Sequence, residues 1–236
     1  MADRPLPLRG TLLNTVTVAA GAALGLLAGA GLPQALLGTA LAGLGLVTIG
    51  IGVKMFLDGR NALVVAAAMG IGGALGAALG ISDGLDLAAE WARRTLGAGG
   101  RFNEALITTS VLFCVGPMTL LGCLEDGLER KIDLLALKST LDGIASFFFA
   151  ATLGPGVLVT ALVVLVFQGG LTLAAGSLRG LRDHPEALGD LTAAGGCLMI
   201  AIGLGLAEVK RLPTANFLPA LLLAPLFTAL ARRATL

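Results

Sequence analysis

The chain has 236 residues, 56% of them hydrophobic and only 13% charged, with a formal net charge of +1 and a mean hydropathy of +0.91. That balance excludes an ordinary water-soluble globular domain. Near-zero charge, with no basic stripe interleaved with aromatics, also argues against a nucleic-acid partner.

A helix of about 20 residues crosses the hydrocarbon core of a bilayer. By that measure the sequence predicts one all-α, polytopic transmembrane bundle occupying residues 1–236, with seven to eight spans, embedded in membrane lipid. The spans fall at about residues 11–30, 35–56, 61–81, 105–124, 134–153, 156–177, 189–209 and 214–232. The opening Met1-Ala2-Asp3-Arg4-Pro5 run has no small-residue cleavage site behind a short apolar core, so no removed signal peptide is expected.

Span one carries Asn14 and a ridge of Gly21, Gly25 and Gly29; span three carries Gly72, Gly76 and Gly80. Small residues four apart let helix backbones approach closely, within one subunit or across a homodimer. Between spans three and four, residues 82–96 place Leu85, Ala88, Ala92 and Leu96 at helical spacing, with Trp91 suited to a headgroup boundary. This segment is expected to form an amphipathic helix, either on the membrane surface or packed on the protein.

Span four is interrupted by Gly116-Pro117. A proline removes one backbone hydrogen bond and frees an upstream carbonyl, so a kink is expected, and kinked helices can coordinate ions. The span closes with Glu125 and Asp126. In span five Lys138, Asp142 and Ser146 lie four apart on one helix face, with Ser139 adjacent. A charge in hydrocarbon costs roughly 2.5–3.5 kcal/mol on insertion scales, which makes Asp142 the first candidate for binding a cation or proton. Pairing with Lys138 is the structural alternative. Gln168 breaks the apolar run of span six, and an amide at that depth needs a partner. Asn61 and Asn216 open spans three and eight as candidate helix caps. The candidate ion- or solute-binding set is therefore Asn14, Glu125, Asp126, Lys138, Ser139, Asp142, Ser146 and Gln168, beside the kink at Gly116 and Pro117.

Nothing points to an enzyme. The sole histidine, His184, lies in a polar joint, and Cys114, Cys123 and Cys197 lack CxxC spacing. No metal centre, hydrolase triad, phosphate loop or cofactor motif is expected.

Positive residues favour the cytoplasmic side. With the N-terminus inside, Arg4, Arg9, Lys54, Arg60, Arg130, Lys131, Lys138, Arg179, Arg182, Arg232 and Arg233 fall inside, which is 11 of the 16 basic residues. Both termini are expected in the cytoplasm. A re-entrant hairpin of spans five and six, turning at Gly154-Pro155, would leave that count unchanged.

The two ends of the chain resemble each other. Gly43, Ile49, Gly50 and Gly52 match Gly196, Ile202, Gly203 and Gly205 at one offset, and Asn61-Ala62-Leu63 runs parallel to Asn216-Phe217-Leu218. The stretch ending at Gly29 resembles the one ending at Gly176. Spans one to three (residues 10–81) would then repeat as spans six to eight (residues 156–232) in opposite orientation, around central polar spans at 104–153. Inverted repeats are a recurrent plan of secondary transporters. A competing match, Gly10-Thr11-Leu12 with Ser139-Thr140-Leu141, would pair spans one and five instead.

Several ordered stretches resemble one family: Leu112-Phe113-Cys114-Val115-Gly116 through Leu124-Glu125-Asp126-Gly127, Lys138 through Gly143, Gln168 through Leu173, and Asn216 through Leu222. Together they are similar to the YqgA-like bacterial membrane proteins, domain-of-unknown-function family 554, over almost the whole chain. The resemblance implies a bacterial inner-membrane protein and carries no mechanism. Pro117 and Pro155 depart from the expected pattern at their turns.

The function expected from these features is a secondary transporter or exchanger of a small solute or ion. A channel, or a structural or regulatory membrane protein acting through its glycine ridges, is the alternative.

Overall fold

The computed structural model describes residues 8–182 and 184–234; Arg4, one member of the charge count, lies outside them. Among the described residues the regular structure is helical: α1 (Arg9–Gly29), α2 (Gln34–Leu57), α3 (Ala62–Ala78), α4 (Ile81–Thr95), α5 (Phe102–Cys114), α6 (Pro117–Glu129), α7 (Asp133–Leu153), α8 (Gly156–Leu173), α9 (Ala175–Arg182), α10 (Pro185–Leu206) and α11 (Leu218–Ala234), with a 3₁₀ turn at Thr214–Phe217. Six helices are long and apolar enough to cross a membrane, and eight spans result if the bent pairs α3–α4 and α5–α6 each count as one. The expected kink is present, with α5 and α6 meeting at 59°. Gly116, at φ 155°, forms the corner in a region that side-chain-bearing residues rarely adopt. The amphipathic segment is α4, with Leu87 and Trp91 each 71% exposed. The predicted sixth span is divided: α8 stops at Leu173 and the short α9 follows.

The chain forms two compact units. Residues 1–40 and 89–180 make the first, and residues 41–88 and 181–236 make the second.

In the first unit α1 and α7 lie side by side and parallel, and the glycine ridge of α1 explains why. Methyl groups built on Gly21 and Gly25 would overlap the carbonyl oxygens of Gly143 and Phe147, and one on Gly29 would come within 2.5 Å of the Ala151 oxygen. Only glycine admits backbones this close, so this ridge serves packing within the chain. Along α8, Gly156 abuts Phe102 of α5 at one end, and Gly127 of α6 abuts Thr172 at the other. The bent pair α5–α6 thus accompanies α8 from end to end in the same direction. At 1.5 Å per residue the 18 residues of α8 extend about 27 Å, so the bent pair covers the depth of a straight span.

In the second unit α2 and α10 are antiparallel. Gly52 meets Gly196 and Ile200, while Gly45 meets Gly203 and Ala207. Antiparallel α3 and α11 close through Gly72 against Ala220, and Gly76 packs on Asn216 in the preceding turn. Gly80 leaves the ridge predicted for it: at φ 63° it makes the corner between α3 and α4. Fully buried Ala68, Ala194, Ala220 and Ala224 form the core. The segments whose sequences match therefore pack against each other in this unit, α2 on α10 and α3 on α11.

Asn61 caps α3 as expected, its Oδ1 accepting from the backbone of Leu63 at 3.1 Å and Val64 at 3.2 Å. The Asn216 Oδ1 instead accepts from the Ser82 N–H of α4 at 2.9 Å. A carboxylate the sequence reading left unremarked, Asp190 of α10, is fully buried. Its Oδ1 accepts from the backbone N–H groups of Arg60 and Asn61, both at 2.8 Å, and its Oδ2 from the Thr228 hydroxyl at 2.7 Å. It therefore fixes the α2–α3 turn to α10 and α11. Asp190→Ala strands two backbone donors, while the Thr228 hydroxyl keeps the Ala224 carbonyl as its acceptor, and is expected to destabilise the protein by about 3 kcal/mol. Thermal unfolding in detergent measures this, with Asp58→Ala, at an exposed position in the same turn, expected to change little.

Candidate functional site

The buried polar groups of the first unit converge where α1, α7 and α8 meet. On α7 the four-residue spacing brings the Lys138 ammonium onto the Asp142 carboxylate as an ion pair. Asn14 of α1 bridges that pair to α8: its Nδ2 donates to Asp142 Oδ2 at 2.9 Å and to Gln168 Oε1 at 3.0 Å. Asn14 and Gln168 are fully buried, and Lys138 and Asp142 retain 7% and 8% exposure. The Phe113 ring of α5 lies 5.8 Å from the Lys138 nitrogen, giving the ammonium an aromatic face as well as a carboxylate. Counting residues from the nearer helix ends at 1.5 Å each, the cluster sits about 8–14 Å inside.

Four of the eight candidates thus form one connected group, and the other four do other things. The hydroxyls of Ser139 and Ser146 bond back along their own helix, to the carbonyls of Leu135 at 2.6 Å and Asp142 at 2.7 Å. Asp126 of α6 points at the start of α1, its Oδ2 accepting from the Gly10 N–H at 3.0 Å. Glu125 lends its backbone carbonyl to the N–H groups of Arg130 and Lys131, closing α6. The kink likewise offers no loose carbonyl at the position proline vacates, because the Thr119 hydroxyl donates to the Phe113 oxygen at 3.1 Å.

Three polar atoms of this region are buried without a hydrogen-bond partner: Asn14 Oδ1, Gln168 Nε2 and Asp126 Oδ1. An unpaired buried amide atom costs about 1–3 kcal/mol, so such groups ordinarily meet a water or a ligand. The two orphaned amide atoms belong to side chains already joined to each other and to the ion pair. The geometry can hold a small polar or charged species among oxygen and nitrogen donors in apolar surroundings. An open groove of about 440 Å³ runs between α1 and α7, bordered by Thr17, Gly21, Ser139 and Gly143. Ser139 and Gly143 are the chain neighbours of Lys138 and Asp142.

Sequence reading missed the rest of the α8 face. Thr160, Gln168 and Thr172 recur at multiples of four residues, and all are buried. Thr160 bonds Thr109 of α5 at 2.6 Å and Thr172 bonds Thr11 of α1 at 3.3 Å, while the Cys123 thiol of α6 reaches the Gln168 carbonyl oxygen at 3.6 Å. That spacing was the available signal, hidden because each threonine alone reads as an ordinary span residue.

Comparison with known proteins agrees with this architecture. The chain is 28% identical over 221 residues to "Uncharacterized membrane protein YdfK" of Bacillus subtilis (strain 168), covering 92% of this chain and 93% of that protein. It is 30% identical over 221 residues to "Uncharacterized protein YqgA" of Escherichia coli (strain K12), covering 91% and 94%. No solved structure matches significantly. The family model described as "Protein of unknown function (DUF554)" matches residues 9–229, nearly the whole apolar bundle just described, and the chain is a multi-pass helical membrane protein belonging to that family.

Proposed function

We propose that the protein is a secondary transporter or exchanger of a small solute or ion in the bacterial inner membrane, with both termini cytoplasmic, and is not an enzyme. One observation carries the reading. An ion pair and two carboxamides are joined inside apolar helices, with an acceptor and a donor left unsatisfied. Polar groups at that depth are costly and mark solute or ion pathways in membrane proteins. The charge count supports the orientation. The antiparallel packing of like segments, α2 with α10 and α3 with α11, supports the inverted-repeat plan, under which one half can rock against the other. Gly43 and Gly50 of α2 meet nothing within 4 Å, which supports a homodimer through that helix.

The test begins with a thermal-shift screen of ions and small solutes on detergent-purified protein. Any compound that raises the melting temperature is then offered to proteoliposomes. Saturable uptake with counterflow is expected, abolished in the charge-balanced double variant Lys138→Met/Asp142→Asn. Flux without saturation would make the protein a pore, and normal uptake by the double variant would remove these residues from the site.

A further inference from the structure

We propose that the species bound at this site is a small uncharged solute presenting a hydrogen-bond donor beside an acceptor, as carboxamides, urea and polyols do, and that it is held by Asn14 Oδ1 and Gln168 Nε2. The inference rests on the transport reading for its physiological setting, while the binding chemistry rests on the side chains of α1, α7 and α8.

Counting hydrogen bonds identifies the two atoms. Both hydrogens of Asn14 Nδ2 are committed, one to Asp142 Oδ2 at 2.9 Å and one to Gln168 Oε1 at 3.0 Å. What remains is an acceptor, Asn14 Oδ1, and a donor group, Gln168 Nε2, both buried without a partner on side chains that are fully buried. Neither carboxamide satisfies them by turning over. A turned Asn14 would set its oxygen against the Asp142 carboxylate and the Gln168 oxygen, and a turned Gln168 would set its amino group against that of Asn14. The order is fixed from Asp142 outwards, and Asp142 is itself held by Lys138. The ion pair is thus a positioning device, which leaves Asn14 to accept and Gln168 to donate.

That combination selects the ligand. A cation would satisfy the oxygen and be repelled by the N–H dipole, and an anion would meet the reverse. Either would also add a net charge to apolar surroundings whose own ion pair is already neutral, which a low-dielectric interior penalises. A neutral molecule with a donor beside an acceptor satisfies both atoms and brings no charge. Next to Gln168 the packing is not closed. Gly169 is buried, yet a methyl group built on it would meet only Leu8 at 3.7 Å and Thr11 at 3.9 Å, both ordinary contact distances. The same addition on Gly156, at the start of α8, would come within 2.3 Å of the Phe102 oxygen. One end of α8 is tightly covered, and the turn that carries Gln168 is not.

The experiment measures melting temperatures of the full chain in detergent, titrated separately with acetamide, urea and glycerol, and with NaCl and KCl for comparison. Two variants accompany the parent. Asn14→Leu/Gln168→Met removes both amides together, strands neither against the other and keeps the Lys138–Asp142 pair. Gly169→Val keeps every polar atom and fills the space beside Gln168, with Gly169→Ala, whose methyl fits, as its control. General co-solvent effects act alike on all four proteins and cancel on comparison. At least one of the three solutes is expected to shift the parent and Gly169→Ala saturably relative to the double variant, with apparent affinity at least about tenfold weaker in Gly169→Val. Equal shifts in parent and double variant, undiminished affinity in Gly169→Val, or no response to any of the three solutes would each overturn the proposal. A saturable response to NaCl or KCl in their place would overturn it while leaving carriage of an ion standing. Solute binding that both variants weaken, without saturable uptake of that solute into proteoliposomes, would support the inference and overturn carriage alone.

Discussion

Asp142→Asn, made with Lys138 intact, is expected to cost about 3–5 kcal/mol of stability, because it leaves an ammonium buried among helices without its carboxylate. The loss reaches further than the pair. Asp142 also receives the Asn14 amide, and Asn14 holds Gln168, so three helices share the damage. Lys138→Met alone should cost a similar amount, since it strands the carboxylate. The double variant should recover most of the loss and lie within about 1–2 kcal/mol of the parent, since a neutral pair of similar bulk carries no uncompensated charge. A double-mutant cycle read by thermal or denaturant unfolding in detergent measures this. Additive losses would mean that the two side chains do not act as a unit.

Gly25→Ala is expected to cost about 3 kcal/mol or more. The added methyl would overlap the Phe147 carbonyl, which belongs to a helix backbone and cannot turn aside as a side chain would. The separation of α1 and α7 would have to increase, and the Asn14–Asp142 hydrogen bond spans that same interface. Gly50→Ala provides the contrast. Nothing lies within 4 Å of a methyl at that position, so the usual helix preference for alanine should stabilise the protein by up to about 1 kcal/mol, unless a second copy covers it. Melting temperatures of the two variants, with crosslinking of the Gly50→Ala protein, test both statements.

Much of the fold was legible because the bilayer sets a length that apolar runs must match. The eight predicted spans fall on the six long helices, on α3 and on the bent pair α5–α6, and the amphipathic segment at 82–96 is α4 within a residue or two. Gly116-Pro117 identified its kink because the chemistry of proline is local. What sequence could not supply was partnership. That the α1 glycines meet α7, or that Asn14 serves both Asp142 and Gln168, depends on which helices neighbour each other, and an apolar surface says little about that choice. Ser139 and Ser146 show the same limit, since each hydroxyl donates to its own helix's carbonyl four residues back, a bond that spacing along the chain does not distinguish from one to a neighbour. Asp190 was passed over because it sits just inside the predicted start of a span, where a carboxylate reads as a boundary residue.

The bend at Gly116 links distant parts of the first unit as an elbow links forearm to shoulder. Beyond it, α6 carries both Cys123, whose thiol serves the Gln168 carbonyl, and Asp126, whose carboxylate serves the first turn of α1. A swing of that forearm would withdraw both attachments at once, loosening α8 beside Gln168 and α1 one turn before Asn14. Whatever flexes the elbow therefore also sets how firmly the two amides are held.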